Sequence, residues 1–200
     1  MRLLLATHNR GKRREWQELL DGLPLEILLP DELGLSDDVP ETGATYLENA
    51  FLKARTLARL SGLLTLADDS GLEVDALDGA PGVRSARYTL GSDEVRYRAL
   101  LRALEGVPET ARGARFRCVA ALVLPESWRE FHTEGVCEGL ITTAPAGEGG
   151  FGYDPVFYLP EQGCTMAELS QAQKNQLSHR ARAAQALRPL LATLLGDASA

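Results

Sequence analysis

The chain has 200 residues with 28 acidic and 21 basic side chains, a formal net charge of -7. That length suits one domain with a sizeable core, read as a single domain over 1–200. The acidic balance argues against a basic, duplex-binding surface, and no apolar run approaches the roughly 20 residues that cross a bilayer. Neither nucleic acid nor membrane is therefore expected as a partner. Cys118, Cys137 and Cys164 are widely spaced with no Cys-x-x-Cys pair, which suggests reduced thiols in a cytoplasmic protein rather than a disulfide or zinc framework. Only three of the 21 basic residues are lysines, Lys12, Lys53 and Lys174. Lysine is a compact point charge where arginine is a planar fork, so the three could converge on one phosphate-bearing ligand or could be ordinary surface lysines.

Residues 2–6 read as a short buried strand, followed at once by Thr7-His8-Asn9-Arg10-Gly11-Lys12. A helical pattern then runs from Arg13 to Leu20, with Trp16, Leu19 and Leu20 inward and Arg14, Glu15 and Glu18 exposed. Strand, polar turn, helix is a layout that offers backbone N–H groups and a positive dipole end to an anion. It is not a Walker A loop, and Asn9 capping an ordinary helix explains the same residues. A second strand covers 25–29, and the polar stretch 31–43, with Asp37, Asp38 and Glu41, reads as a loop whose Glu41 could reach a metal or simply face water. Thr45 and Glu48 form a capping box for a helix to about Ser61, on which Asn49 and Lys53 share a polar face.

Leu63 to Ala67 is apolar and runs into Asp68-Asp69-Ser70-Gly71 before a second alternating run. This reads as strand, acidic corner, strand. Two adjacent carboxylates need a positive companion, and a divalent cation such as Mg²⁺ prefers such hard oxygen ligands. A solvated Asp-Ser-Gly turn is the alternative. Ser92 opens a helix to about Leu104, and 114–124 with 129–141 forms a hairpin. The glycine-rich run around Phe151, Gly152, Tyr153 and Asp154 offers either stacking rings for a nucleobase or two aromatics plugging a core edge. Ser178 looks like an N-cap, placing His179 and Arg180 in the first turn of a last helix, where basic groups oppose the macrodipole unless an anionic or electron-rich ligand compensates.

Taken together, Thr7 to Lys12 with Glu15, Ala67 to Leu72, Gly79 to Tyr88, Gly149 to Pro155, and Ser178-His179-Arg180 resemble the inosine triphosphate pyrophosphatase family, also called Ham1-like or non-canonical purine NTP pyrophosphatases. The resemblance covers essentially the whole chain in order, with His8 standing where members often carry a small residue. It implies an α/β fold, two-lobed, with a central mixed β-sheet flanked by helices and an active-site cleft between lobes. It also implies hydrolysis of ITP, dITP and XTP to monophosphate and pyrophosphate, dependence on Mg²⁺, and a homodimer. Carried over by position, Asp69 is proton acceptor and metal ligand, Thr7, His8, Asn9, Arg10, Gly11 and Lys12 grip the triphosphate, and Ser70 touches substrate. Phe151, Gly152, Tyr153 and Asp154 hold the base, and Lys174, His179 and Arg180 complete its pocket. On chemical grounds the lysines, Lys12 and Lys53, neutralise the leaving pyrophosphate, while Asp68 and Glu41 assist the metal shell. Rival readings are a Maf-like pyrophosphatase acting on pyrimidine nucleotides and a nucleotide-sensing module without turnover.

Overall fold

A seven-stranded mixed sheet in the order β2-β1-β3-β4-β5-β6-β7 organises the chain. The structure, a computed structural model, describes residues 1–35 and 38–197, so the loop reading at Ser36 and Asp37 lies outside the described residues. Strands β1 (Arg2–Leu5), β2 (Glu26–Leu28) and β3 (Leu64–Val74) pair in parallel, β1 lying between the other two. Helices α1 (Arg10–Leu19) and α2 (Tyr46–Ser61) are the crossovers that such parallel pairs require. Strands β4 (Gly113–Leu124) and β5 (Arg129–Ile141) are sheet neighbours joined by the turn at 125–128, as the hairpin reading expects. Antiparallel pairing continues through β6 (Phe157–Leu159) to β7 (Cys164–Thr165).

Helix ends follow their local chemistry. Asn9 caps α1, Thr45 and Glu48 form a complete capping box on α2, and Gly62 closes α2 in the left-handed conformation at φ 66°. Ser92 caps α3 (Asp93–Ala103) as its position predicts. Short α4 (Gln171–Leu177) leads through Ser178 into α5 (His179–Asp197).

The chain divides into two compact units: 1–69, 118–135 and 180–200 in the first, 70–117 and 136–179 in the second. Each has its own core. In the first, Leu3 and Leu5 of β1, Trp16 and Leu20, Leu66, Leu122, and Leu187 and Leu191 of α5 are buried together. In the second, Leu72, Val74, Leu100, Phe116, Tyr153, Val156 and Phe157 are. Full burial of one such leucine or phenylalanine contributes about 1.5–3 kcal/mol before the entropy of ordering it is counted.

One sequence expectation needs correcting. Leu64 to Val74 is a single continuous strand of 11 residues, with no acidic corner at Asp68-Asp69-Ser70-Gly71. Turn-favouring residues lose here because both carboxylates are buried against cationic and amide partners, which hold the backbone extended.

Candidate active site

Strand geometry sends successive side chains to opposite faces, and this separates the two adjacent aspartates. Asp68 turns towards α1 and α5. Its Oδ1 accepts from Trp16 Nε1 at 3.1 Å, and its Oδ2 lies 3.1 Å from Lys12 Nζ and 3.0 Å from Arg180 Nη2. Burial alone would push the Asp68 carboxyl up, but Lys12, Arg180 and Lys53 outweigh it and hold the group far below the usual carboxylate range. Asp69 turns towards α2, where Asn49 Nδ2 donates to its Oδ2 at 3.0 Å and Lys53 Nζ stands 3.9 Å from its Oδ1. Here burial wins: with Glu41 reinforcing it, it raises the Asp69 carboxyl above its ordinary value against the pull of Lys53 and Lys12.

Lys53 also binds Glu41 Oε1 at 2.6 Å and the backbone carbonyl of Asp68 at 2.7 Å, so Glu41, Asp69 and an ammonium form one cluster. The Asn49 side chain braces it, since its Oδ1 accepts from Gly43 N at 2.8 Å while its amide holds Asp69. Among the described residues there is no group of three or more His, Cys, Asp or Glu disposed as a metal cage. Two neighbouring carboxylates, one of them poorly solvated, suit a cation that takes its remaining ligands from phosphate oxygens and water, which is the usual habit of Mg²⁺.

The loop before α1 is closed by side-chain caps. Thr7 Oγ1 accepts from Asn9 N, Asn9 Oδ1 accepts from Lys12 N, and Arg10, Gly11 and Lys12 make the first turn. Asn9 is therefore a cap, as the plainer reading had it. His8 turns aside: its Nδ1 meets Asp31 Oδ1 at 3.0 Å, and Arg13 holds the other oxygen of Asp31 at 2.6 Å.

In the second unit, which Ser70 opens, Lys174 and Asp154 form a buried pair at 2.5 Å, and the Lys174 ammonium stands over the Phe151 ring at 4.8 Å. Asp154 Oδ2 also accepts from Phe151 N at 2.9 Å, and Gly152 N donates to Asp93 Oδ2 at 2.7 Å. His179 stacks on Phe116, with ring centroids 4.8 Å apart and planes 16° from parallel.

Several side chains read as ligands have partners within the protein. Arg180, read as a base-edge group, belongs to the first unit, where its guanidinium donates to the buried carboxylates of Glu15 and Asp68. Asp68, read as part of a metal shell, has its carboxylate enclosed by Lys12, Arg180, Trp16 and Cys118. Tyr153 is not an open stacking ring. It is a core residue whose hydroxyl donates to Ser85 O at 2.8 Å, and burial pushes its phenol up. Glu15, read as exposed, is buried. Of the three lysines, Lys12 and Lys53 meet at Asp68, while Asp154 takes Lys174. Sequence reasoning passed over Trp16 and Asp93 as site supports, and only the helical spacing of Asn49 from Lys53 pointed to Asn49.

Parallel strands with helical crossovers, a capped helix start at Thr7 to Lys12, and lysines interleaved with carboxylates are the features of an α/β protein suited to handling phosphates. Residues 3–190 match the sequence model of the Ham1 family, and the chain belongs to that family. It is 54% identical over 183 residues to a dITP/XTP pyrophosphatase of Xanthomonas oryzae, covering 90% of this chain and 91% of the relative. A dITP/XTP pyrophosphatase of Vibrio parahaemolyticus is 49% identical over 93% of this chain and 94% of its own. Among solved structures, a HAM1 protein from Coxiella burnetii superposes with a TM-score of 0.88 at 42% identity, covering 96% of this chain and 99% of that one.

Proposed function

We propose that the protein hydrolyses non-canonical purine nucleoside triphosphates, ITP, dITP and XTP, to the monophosphate and pyrophosphate, removing deaminated purines from the nucleotide pool. The observation that carries the reading is the pair of ammonium groups that meet at the Asp68 carbonyl, Lys12 and Lys53, with Lys53 against Asp69 and Glu41: cations to receive phosphates beside a carboxylate whose burial favours taking a proton. The names of the relatives just described point the same way.

In this reading Thr7 and the first turn of α1 receive the phosphate chain, and Lys12 and Lys53 neutralise the charge that grows on the departing pyrophosphate. Asp69, raised by burial and held in place by Asn49, orients a water and takes its proton as the oxygen attacks the α-phosphorus. Asp69 and Glu41 would hold Mg²⁺, which when bound supplies Lewis-acid stabilisation of phosphate oxygens. Phe151 and His179 receive the purine, while Asp154, Tyr153 and Lys174 support them from the interior. A donor such as His179 suits a 6-keto oxygen, and adenine's amino group would leave it unpaired, a penalty of about 1–3 kcal/mol.

The cytoplasm and a homodimeric state complete the proposal. Both rest on the family resemblance, and light scattering of the purified chain tests the second. The test of the function is a panel of ITP, XTP, dITP and the common triphosphates with Mg²⁺, scored for pyrophosphate against orthophosphate release. Pyrophosphate from the keto purines, with little from ATP, is the expected result. Turnover confined to pyrimidine nucleotides would favour the Maf-like reading, and binding without turnover the sensing one.

A further inference from the structure

Four charged side chains of the first unit stand in a line that runs from the protein interior to the phosphate loop. Glu15 of α1 accepts from Arg180 Nη1 of α5. Arg180 Nε and Nη2 both donate to Asp68 Oδ2, at 3.3 and 3.0 Å, and Lys12 Nζ lies 3.1 Å from the same oxygen. Side-chain exposure is 4% for Glu15, 1% for Arg180 and 0% for Asp68, but 14% for Lys12. The three inner members are sealed from water, and only the lysine reaches outward. Trp16 Nε1 on Oδ1 and Cys118 Sγ near Oδ2 at 3.7 Å fix the Asp68 carboxylate from its remaining sides.

A buried ion group is weak evidence for stability, because apolar residues of similar volume often serve as well. Direction is what this one supplies. A lysine ammonium ends a flexible four-carbon stem and has no preferred heading of its own, whereas a guanidinium is a rigid fork. Asp68, clamped by that fork, gives Lys12 a fixed mark to lie against. Arg180 also draws the Asp68 charge inward, so Lys12 is aimed without its positive charge being cancelled by a full carboxylate. Glu15 in turn fixes the fork and balances it.

We infer that Glu15 and Arg180 are positioning residues that aim Lys12 at the phosphates through Asp68, so that Arg180 serves the phosphate end of the reaction and not the choice of base. The inference rests on the hydrolytic reading above only in taking Lys12 as a phosphate ligand.

A double-mutant cycle of Glu15→Gln with Lys12→Ala tests it, using the full chain, with circular dichroism to establish folding. Two quantities are measured: kcat/KM for ITP and, independently of turnover, calorimetric affinity for inorganic tripolyphosphate. With Lys12 present, Glu15→Gln should lower both by of order 10- to 100-fold, the scale expected for misplacing a catalytic group. In the Lys12→Ala background it should change either by less than about twofold, because the group being aimed is gone. The ITP to ATP preference should not move. Arg180→Lys, which keeps the charge but not the fork, should show the same pattern and serves where Glu15→Gln fails to fold. Equal losses in both backgrounds, or an altered base preference with unchanged tripolyphosphate affinity, would overturn the inference. Should the wild type leave ITP intact while the tripolyphosphate coupling is present, the function proposed above fails and the positioning role stands.

Discussion

The ammonium groups of Lys12 and Lys53 both reach the backbone carbonyl of Asp68, at 3.4 and 2.7 Å, although they come from different helices. Past that shared oxygen their charges part, Lys12 going to the Asp68 carboxylate and Lys53 to Glu41 and Asp69. Both lysines lower the Asp69 carboxyl, Lys53 more than Lys12, against the upward push of burial. Removing either cation therefore moves Asp69 further up, and its basic form appears only at higher pH. Lys53→Ala and Lys12→Ala should each reduce kcat/KM for ITP by about 100-fold, as loss of a preorganised charge does. The acid limb of the pH profile should shift to higher pH in both, further for Lys53→Ala. A shift in the opposite direction would break the link between these lysines and Asp69.

Asp69→Asn separates function from stability. A carboxyl raised on folding contributes stability that is whole below its unfolded value, here 3.8, and lost as pH rises through the folded value. At neutral pH the wild type thus carries the cost of a buried carboxylate, which an amide avoids while still accepting from Asn49. Turnover should vanish with triphosphate binding retained, and Tm at neutral pH should rise. The gain should close as pH falls below the unfolded value. Thermal scans across pH check this, and a lower Tm for the variant at neutral pH would contradict it.

Base choice should answer to the second unit. His179 is held flat against Phe116, so His179→Ala removes a fixed ring and with it the N–H of the proposed base pocket, and should reduce the ITP over ATP ratio in kcat/KM by about 10- to 100-fold, the equivalent of about 1–3 kcal/mol. A substrate panel with the variant measures it. An unchanged ratio would take His179 out of the base pocket.

Gly150 is required by its surroundings. Its φ is 71°, and an added Cβ would fall 2.0 Å from Asp154 Oδ2, the oxygen that also receives Lys174 and the Phe151 N–H. Gly150→Ala should displace Asp154, cost about 1–3 kcal/mol by strain and weaken base discrimination along with stability. Chemical denaturation and the same panel would record both effects.

Much of this was readable in the sequence because it is local. The strand, polar turn and helix at Thr7 to Lys12, the Thr45 and Glu48 capping box and the Ser92 cap all depend on neighbours a few positions away. What could not be read depends on distant partners. Glu15 looks like a solvated acid until Arg180, 165 residues away, is folded against it, and nothing near Arg180 in sequence shows that its donors meet Asp68 and Glu15. The acidic stretch of β3 reads as a turn because Asp, Ser and Gly favour turns; buried cations and Asn49 override that preference. Tyr153 likewise needed the Ser85 carbonyl to reveal it as a core residue.

The most direct measurement is hydrolysis of ITP in ¹⁸O-labelled water with both products analysed by mass spectrometry. Attack on the α-phosphorus, aided by Asp69 with Lys12 and Lys53 on the leaving group, places the label in inosine monophosphate and leaves pyrophosphate unlabelled. Labelled orthophosphate with inosine diphosphate, or label in the pyrophosphate, would contradict the account.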